Sequence, residues 1–351
     1  MDLQHLLKSK RKKYYTTGSN KETYWLTRFF LLRGLGFLYF LVFFPIIHQF
    51  EALLGENGLL PVSLHLQRYS SYFDDSWFTY WKLPTLFWIS ATDHFAVTLA
   101  YVGLALSIVV ICGYANAFIM FFLWLLQLSF LHVGQTFWSF GWETNLLEIG
   151  FLGIFLCPLF DGRPFSIRFP PSKIIMLLYR WVLFRLMFGA GLIKLRGDSC
   201  WSDLTCMNFH FETQPIPNPL SPYFHFLPDF FLKGLVLFNH FVELGIPWLL
   251  FLPFPLISAI AGVFFILLQL GVIVGGNYAW INYITLVMII PCFDDRFLKK
   301  FTPNFIKENF IYIAKYRNVK WYQSVVVLCL TSLIVFLSYK PVMNLIGPRQ
   351  V

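Results

Sequence analysis

The sequence predicts an all-α protein, a polytopic integral membrane helical bundle of about nine transmembrane or membrane-embedded helices. Composition is the first reason: of 351 residues, 57% are hydrophobic and only 13% are charged, and the mean hydropathy is +0.62. Soluble domains are roughly 45–50% apolar and about 25% charged. Long apolar runs and an uneven distribution of Lys and Arg are the other two reasons. This composition excludes a disordered chain and argues against an ordinary soluble enzyme.

The apolar runs come close to the length of about 20 residues that a helix needs to cross a bilayer. Nine of them follow one another along the chain: Phe29–Ile47, Phe95–Ile111, Phe118–Val133, Leu146–Leu159, Ile174–Leu195, Phe231–Leu252, Leu256–Val274, Trp280–Cys292 and Val325–Leu337. The fourth and eighth runs are short, so they are tilted, re-entrant or extended by flanking aromatic residues. The first run lacks a small-residue cleavage site and is predicted to be an uncleaved signal anchor.

The positions of Lys and Arg predict the orientation, because cytosolic segments near spans are enriched in both. The N-terminal tail, the segment after the fourth run and the segment after the eighth run together hold 17 basic and six acidic residues. The segment 48–94 holds two basic and five acidic residues, and 196–230 holds one and four. Nine alternating spans place every basic segment on one side. An odd number is therefore favoured, with a cytosolic N-terminus and a luminal C-terminus.

This arrangement divides the chain into membrane and solvent-facing parts. The expected parts are a cytosolic basic tail 1–28, a multi-pass membrane domain 29–339 with luminal segments 48–94 and 196–230 and a basic cytosolic segment 294–320, and a short luminal tail 340–351. The run KSKRKK in the tail could also be a nucleic-acid patch. A topogenic signal beside a first span explains it better, so no nucleic-acid partner is predicted.

Two of the six cysteines lie outside the apolar runs. Cys200 and Cys206 stand in the luminal stretch GDSCWSDLTCMNF, where an oxidising compartment permits a disulfide. A zinc site with His210 and His225 is the alternative, although the spacing matches no closed zinc module. No metal site and no cofactor are predicted.

Charged residues within spans are expensive and are interpreted first as paired or functional. The intramembrane polar candidates are Arg185, Glu148, His240 and Glu243. Arg185 could pair with either Glu148 or Glu243 and so fix helix packing. His240 and Glu243 are three residues apart on one helix face, which could also serve acid–base chemistry.

The segment 196–230 is rich in proline and aromatic residues. Because proline fixes φ and forbids a long helix, the segment can stay extended and rigid, either packed as a cap on the bundle or offered to a luminal partner. The candidate partner contacts are Trp201, His210, Pro215, Pro217, Pro219 and Tyr223. The segment 48–94 is predicted to be an interfacial amphipathic loop.

Several stretches resemble the lipase maturation factor family. They are YWLTRFFLLRGLGFLYF (24–40), LLGENGLLPV (53–62), SFGWETNLLEIGFLGIFLCPL (139–159), FGAGLIKLRGDSCWSDLTCMNFHFETQPIPNPLSPYFHFLP (188–228) and FNHFVELGIPWLLF (238–251). The resemblance runs from about residue 24 to the end, and its 188–228 block is highly specific.

The resemblance implies a multi-pass endoplasmic reticulum membrane protein that acts as a chaperone-like factor and not as an enzyme. Its implied clients are secreted dimeric lipases such as lipoprotein lipase and hepatic lipase, beside other luminal chaperones or oxidoreductases. The family pattern also has a large luminal domain after the last span, where this sequence ends in GPRQV. The alternative is a membrane-embedded enzyme acting on a lipid or lipid-linked substrate through His240, Glu243 and Arg185.

Overall fold

The protein is a helical bundle, which confirms the predicted fold class. The computed structural model describes residues 23–73, 77–166, 169–307 and 321–347. Within these ranges, helices are the regular secondary structure and no strand occurs. Most of the N-terminal basic tail, the second half of the segment 294–320 and the last four residues lie outside the described residues.

The described ranges contain sixteen α-helices, which are numbered in chain order. They are α1 Trp25–Leu54, α2 Val62–Tyr72, α3 Trp77–Lys82, α4 Asp93–Ile111, α5 Ala117–Val133, α6 Gly141–Leu156, α7 Lys173–Gly197, α8 Ser199–Ser202, α9 Met207–Thr213, α10 Ser221–His225, α11 Asp229–His240, α12 Pro255–Gly275, α13 Ile281–Ile289, α14 Asp295–Phe301, α15 Trp321–Leu337 and α16 Tyr339–Ile346. A π-helical turn, Phe241–Gly245, and a 3₁₀ segment, Ile246–Phe251, continue α11.

Each of the nine predicted apolar runs coincides with helix. In the described part of the chain, five helical segments are long and apolar enough to cross a membrane, namely α1, α4, α7, α12 and α11 with its continuation to Phe251. The pair α15 and α16 is a sixth if the two helices form one bent span. The helices α5 and α13 are shorter apolar helices. The chain is therefore a multi-pass membrane protein, and the number nine stays a prediction.

One end of the bundle, called here the N-terminal face, collects the start of α1, the turn between α4 and α5, the connection between α6 and α7, and the start of α14. Arginine side chains donate to backbone carbonyls across these segments: Arg28 to Phe169, Arg33 to Gly113 and Arg180 to Pro291. The backbone N–H of Ala115 also donates to the carbonyl of Gly162. Three of these segments, namely the start of α1, the connection between α6 and α7 and the start of α14, adjoin or contain the basic segments whose charges predict a common side.

The opposite end, called here the disulfide face, collects the segments between the other helix ends. Gln135, after α5, donates to the carbonyl of Leu60, and His132 bonds the carbonyl of Pro84. Asn218 donates to the carbonyl of Val274 at the end of α12. From α1 to α7 the described connections alternate between the two faces, as expected for a bundle whose spans run up and down.

The core is built around α1, which packs most extensively against α4. Gly103 permits this contact, because a Cβ at that position would lie 2.7 Å from ring carbons of Phe43. Aromatic rings fill the layer towards the disulfide face: Phe50 and Phe87 stack with centroids 5.8 Å apart, and Phe130 meets both edge-on. Small residues and aromatic stacking together let the helices approach closely.

Local capping sets several helix starts. Thr92 accepts from the N–H of Phe95 at the start of α4, and Asn116 accepts from that of Ile119 at the start of α5. Such side-chain oxygens satisfy N–H groups that lack a partner in the first turn. Thr92 therefore marks the beginning of α4, and Asn116 ends the short connection between α4 and α5.

The end of the chain differs from the expected tail 340–351. Residues 339–346 form α16, which follows α15 with a bend of 41°. Trp181 in α7 donates to the hydroxyl of Ser338 at the bend. Arg196 donates to the carbonyls of Asn344 and Leu345 at the last turn of α16. The helix is thus held against α7 by packing and by a cation at its C-terminus, where the helix dipole favours positive charge.

A buried carboxylate joins the beginning of α1 to α14. Asp295 accepts from the backbone N–H groups of Trp25 at 2.8 Å and Leu26 at 2.7 Å, and more weakly from that of Thr27. The Thr27 hydroxyl donates to the carbonyl of Phe293 in return. Asp295 is only 3% exposed. It is the acceptor for the first turn of the central helix.

We expect Asp295→Ala to lower the free energy of unfolding by roughly 2–4 kcal/mol, because it leaves buried N–H donors of α1 without an acceptor. Asp295→Asn keeps one acceptor oxygen and should have a smaller effect. Thermal unfolding of the purified protein in detergent, followed by tryptophan fluorescence, measures both. Equal stability of Asp295→Ala and the wild type would show that this contact does not hold α1.

Candidate functional site

The most elaborate part of the disulfide face is the segment 196–230. Cys200 and Cys206 form a disulfide with their Cα atoms 4.7 Å apart. In the chain-entropy model, closing so short a loop contributes about 2 kcal/mol. Both sulfurs are thereby occupied, which speaks against the alternative zinc site. Among the described residues, no group of three or more His, Cys, Asp or Glu side chains could hold a metal ion.

The segment is not extended throughout, although its prolines predicted that it could be. It folds into α8, α9 and α10, with Pro222 in the first turn of α10, where its missing N–H is tolerated. Prolines 215, 217 and 219 fall between α9 and α10 and interrupt helix only there. The expectation was wrong because proline restricts its own backbone and not that of residues several positions away.

Hydrogen bonds tie this segment to the C-terminal end of α12. Asn218 donates to the carbonyl of Val274 at 2.9 Å, and Ser221 donates to that of Gly275 at 2.8 Å. Gln214, which is buried, donates to Ser221 and to Gly275. The last carbonyls of α12 lack partners within their own helix, so these side chains satisfy them. The segment caps the bundle.

A small apolar core lies between the segment and the start of α11. It consists of Met207, Phe211, Leu232 and Val236. Phe224 stacks on Phe211 with centroids 5.4 Å apart. The segment therefore has its own packed interior besides its bonds to α12.

The predicted partner contacts fall into two groups. Pro215, Pro217, Pro219 and Tyr223 are exposed, and Tyr223 has 74% of its surface free. Trp201 and His210 are half-buried and make internal contacts instead. Sequence reasoning did not select further exposed apolar side chains of the segment: Phe209, Ile216, Leu220 and Phe226. The sequence held one signal for this surface. Phe209 stands between Met207 and Phe211, and Phe226 follows Phe224 by two positions.

Glu243 pairs with a lysine that sequence reasoning missed. Lys194 Nζ donates to Glu243 at 2.6 Å and to the Asn239 side chain at 2.9 Å. Asn239 donates in turn to the other carboxylate oxygen of Glu243. The Glu243 side chain is only 8% exposed, so its charge is compensated within the bundle. Glu243 lies in the π-helical turn, a geometry common at functional sites.

His240 binds a different partner from Glu243. Its Nε2 lies 3.0 Å from the backbone carbonyl of Trp201, to which it donates. The Trp201 ring lies under Lys194, whose Nζ is 5.0 Å from its centroid. The loop closed by the disulfide thus covers the Lys194 and Glu243 pair. His240 and Glu243 are joined to separate groups and share no common hydrogen-bond partner among the described residues.

Arg185 pairs with Glu148, one of the two partners that the sequence allowed. The ion pair joins α7 to α6 near the middle of both helices. It lines a groove of about 360 Å³ together with Asn145, Gly189, Ala190 and Ile193. The two ion pairs therefore differ in their surroundings. Arg185 and Glu148 border an open groove, whereas Lys194 and Glu243 are enclosed.

Exposed aromatic residues also mark the segment 48–94. Tyr72, Trp77, Tyr80 and Trp81 of α2 and α3 are each more than half exposed. Trp and Tyr are enriched where a membrane meets water. The arrangement fits the predicted interfacial amphipathic loop.

Known proteins resemble the chain over nearly all of its length. The model of the lipase maturation factor transmembrane domain matches residues 26–300. Lipase maturation factor 1 of Homo sapiens is 42% identical over 346 residues, which cover 94% of this chain and 61% of that protein. Lipase maturation factor 1 of Bos taurus is 40% identical, with 94% and 62% covered. Lipase maturation factor 2 of Xenopus laevis is 34% identical over 79% of this chain and 40% of its own.

The chain spans about three fifths of the length of the first of these relatives. No solved structure matches it.

We expect Lys194→Met to lower the free energy of unfolding by roughly 3–5 kcal/mol, because it leaves the buried Glu243 carboxylate without its cation. The double variant Lys194→Met with Glu243→Gln removes both charges and should recover much of this loss. Lys233→Met, in the exposed pair with Asp229, serves as the matched control and should change stability by less than about 1 kcal/mol. Thermal unfolding in detergent compares the variants. A double variant no more stable than Lys194→Met would contradict the buried pair.

Acid should destabilise the disulfide face through His210. Burial lowers the pKa of His210, and the charge of Lys194 lowers it further. The unfolded chain takes up this proton near its usual pKa of about 6.5. As the pH drops through this value, the unfolded state binds more protons than the folded state, and the free energy of unfolding decreases. Well above this pH the neutral His210 causes no such loss of stability.

Replacing the imidazole tests this sign. The melting temperature of the wild type should fall between about pH 7.5 and about pH 5.5, and that of His210→Phe should fall less. His94→Phe changes an exposed histidine and should leave the fall as it is in the wild type. If His210→Phe kept the full pH dependence, other groups would be responsible.

Proposed function

The chain belongs to the lipase maturation factor family, and on that premise we propose that it helps secreted dimeric lipases to fold, pair and become active in the endoplasmic reticulum. Lipoprotein lipase and hepatic lipase are the proposed clients. The membrane body acts as a chaperone-like factor without a reaction of its own. It holds near-native lipase chains at the luminal side and shields their apolar surface until the subunits pair.

The observation that carries this proposal is the exposed apolar surface of the segment 196–230. Tyr223 is 74% and Phe226 81% exposed, beside the half-exposed Phe209 and Ile216. Large exposed apolar residues outside a span are typical of protein contact sites. An apolar surface of a client that is not yet paired is the chemistry these side chains fit.

The backbone beneath these side chains is held in place. The disulfide, the bonds of Asn218 and Ser221 to α12, and the small core around Phe211 all restrain it. A surface that is ordered before binding loses little conformational entropy when a partner docks. This supports a contact face for clients and not a flexible linker.

The compartment and the orientation are part of the proposal. Positive charge on the N-terminal tail and around residues 163–173 and 294–320 supports a cytosolic N-terminal face. The disulfide at the other face supports an oxidising lumen. Luminal chaperones or oxidoreductases are further proposed partners.

No observation favours the alternative of a membrane-embedded enzyme. His240 donates to a backbone carbonyl, and Glu243 is paired with Lys194 and Asn239. These contacts give both side chains a part in joining the segment 196–230 to the bundle.

A rescue assay tests the proposed function. Lipoprotein lipase is expressed with the 351-residue chain in cells that lack the endogenous factor, and secreted lipase activity is measured per unit of lipase mass. We expect specific activity to rise. The double variant Tyr223→Ser with Phe226→Ser should lose most of this gain, because it removes the exposed apolar contacts. Cys200→Ser with Cys206→Ser should lower it by releasing the backbone beneath them.

Phe301→Ser is the matched control, because Phe301 is 73% exposed on the opposite face. Abundance and membrane insertion are measured for every variant. If the wild-type chain is stable and inserted but lipase activity stays flat, the membrane body does not suffice for maturation. If all variants rescue equally, the segment 196–230 is not the contact face.

A further inference from the structure

The groove between α6 and α7 combines an apolar wall with polar groups deep in the membrane body. Gly189, Ala190 and Ile193 of α7 form the apolar side, and Ile193 is 71% exposed. Asn145, Glu148 and Arg185 form the polar side. Leu345 of α16 packs against Gly189 and borders one end of the groove.

The hydrogen-bonding capacity of the polar side is only partly used. Arg185 and Glu148 bind each other through one nitrogen and one oxygen. Among the described residues, Glu148 Oε2 and the Asn145 amide have no hydrogen-bond partner, and Arg185 Nε is buried without one. The Glu148 side chain is 32% and the Arg185 side chain 16% exposed.

Unused polar capacity is costly at this depth. Arg185 stands 12 residues from either end of α7, which is about 18 Å along a helix with a rise of 1.5 Å per residue. Hydrocarbon offers no hydrogen bonds there. A ligand with its own hydrogen-bond donor and acceptor would therefore stabilise an ion pair that is open to the lipid phase.

We propose that this groove binds an uncharged glyceride lipid, a monoacylglycerol or diacylglycerol. Its free hydroxyl donates to Glu148, and an ester carbonyl accepts from Asn145 or Arg185. One acyl chain lies along Gly189, Ala190 and Ile193. The volume of about 360 Å³ is at the lower end of the usual range of small-molecule sites, so the groove holds the polar end and part of one chain.

The charges of the groove disfavour lipids that carry a charged group. Arg185 and Glu148 neutralise each other, so an anionic head group gains no net attraction and a carboxylate is repelled by Glu148. The charged head group of a phospholipid would have to leave the membrane surface to reach the pair, at high cost. A neutral glyceride has no charged group to bury.

Photocrosslinking tests the proposal on the full chain in nanodiscs. The probe is a diacylglycerol with a diazirine in one acyl chain and an alkyne for detection. Phosphatidylcholine with the same labelled chain and the corresponding fatty-acid methyl ester, which lacks a hydroxyl, are the comparison probes. We expect diacylglycerol to label α6 and α7 preferentially and to be displaced by unlabelled diacylglycerol.

Two kinds of variant separate binding from folding. Glu148→Leu with Arg185→Leu removes both charges together, leaves no unpaired ion and should reduce labelling roughly tenfold, because hydrogen bonds to charged groups are lost. Ala190→Trp fills the apolar side without touching the pair and should have the same effect. Ile174→Trp, at the exposed start of α7, is the matched control and should leave labelling unchanged.

Equal labelling by all three probes, or labelling of α6 and α7 that neither variant reduces, would identify the occupant as bulk bilayer lipid and overturn the proposal. Absence of labelling in the groove would overturn it as well. Because lipase rescue is a separate readout, the lipid site and the proposed maturation function can fail independently.

Discussion

The structure depends on the rule that polar groups buried away from water must find their hydrogen-bond partners within the protein. Asp295 is the strongest case, because a single carboxylate accepts from several N–H groups at the first turn of the central helix. Arg28, Arg33 and Arg180 follow the same rule by donating to carbonyls of other segments. These bonds fasten the connections of the N-terminal face to α1, around which the remaining helices pack.

At the disulfide face, neutral side chains provide the hydrogen-bond partners of buried backbone groups. The carbonyls that end α12 accept from Asn218, Gln214 and Ser221, which belong to the segment 196–230. The same hydrogen bonds therefore cap the bundle and fix the shape of the surface formed by the segment 196–230. Because the polar atoms of the segment bond inwards, the aromatic side chains of Tyr223 and Phe226 are left on the outside, where they can meet a client.

The two intramembrane acids have opposite surroundings, and this difference separates their roles. Glu243 is enclosed by Lys194 and Asn239 and covered by the loop that the disulfide closes. Glu148 is paired with Arg185 alone among the residues that the structure describes, and it borders an open groove. A fully satisfied buried network stabilises the fold, whereas a partly satisfied one leaves hydrogen-bonding capacity unused. We therefore connect Glu243 with the client face and Glu148 with lipid.

The sequence alone determined the helical membrane fold, the positions of the apolar helices and the pair of cysteines that can meet, because apolar run length, charge bias and short spacing are local properties. It also allowed Arg185 and Glu148 to pair. Only the tertiary structure decided that Glu243 binds Lys194, that 196–230 folds into short helices, and that residues 339–346 continue as a bent helix on α7. These outcomes depend on which helices become neighbours, and helical periodicity defines a face without naming its partner.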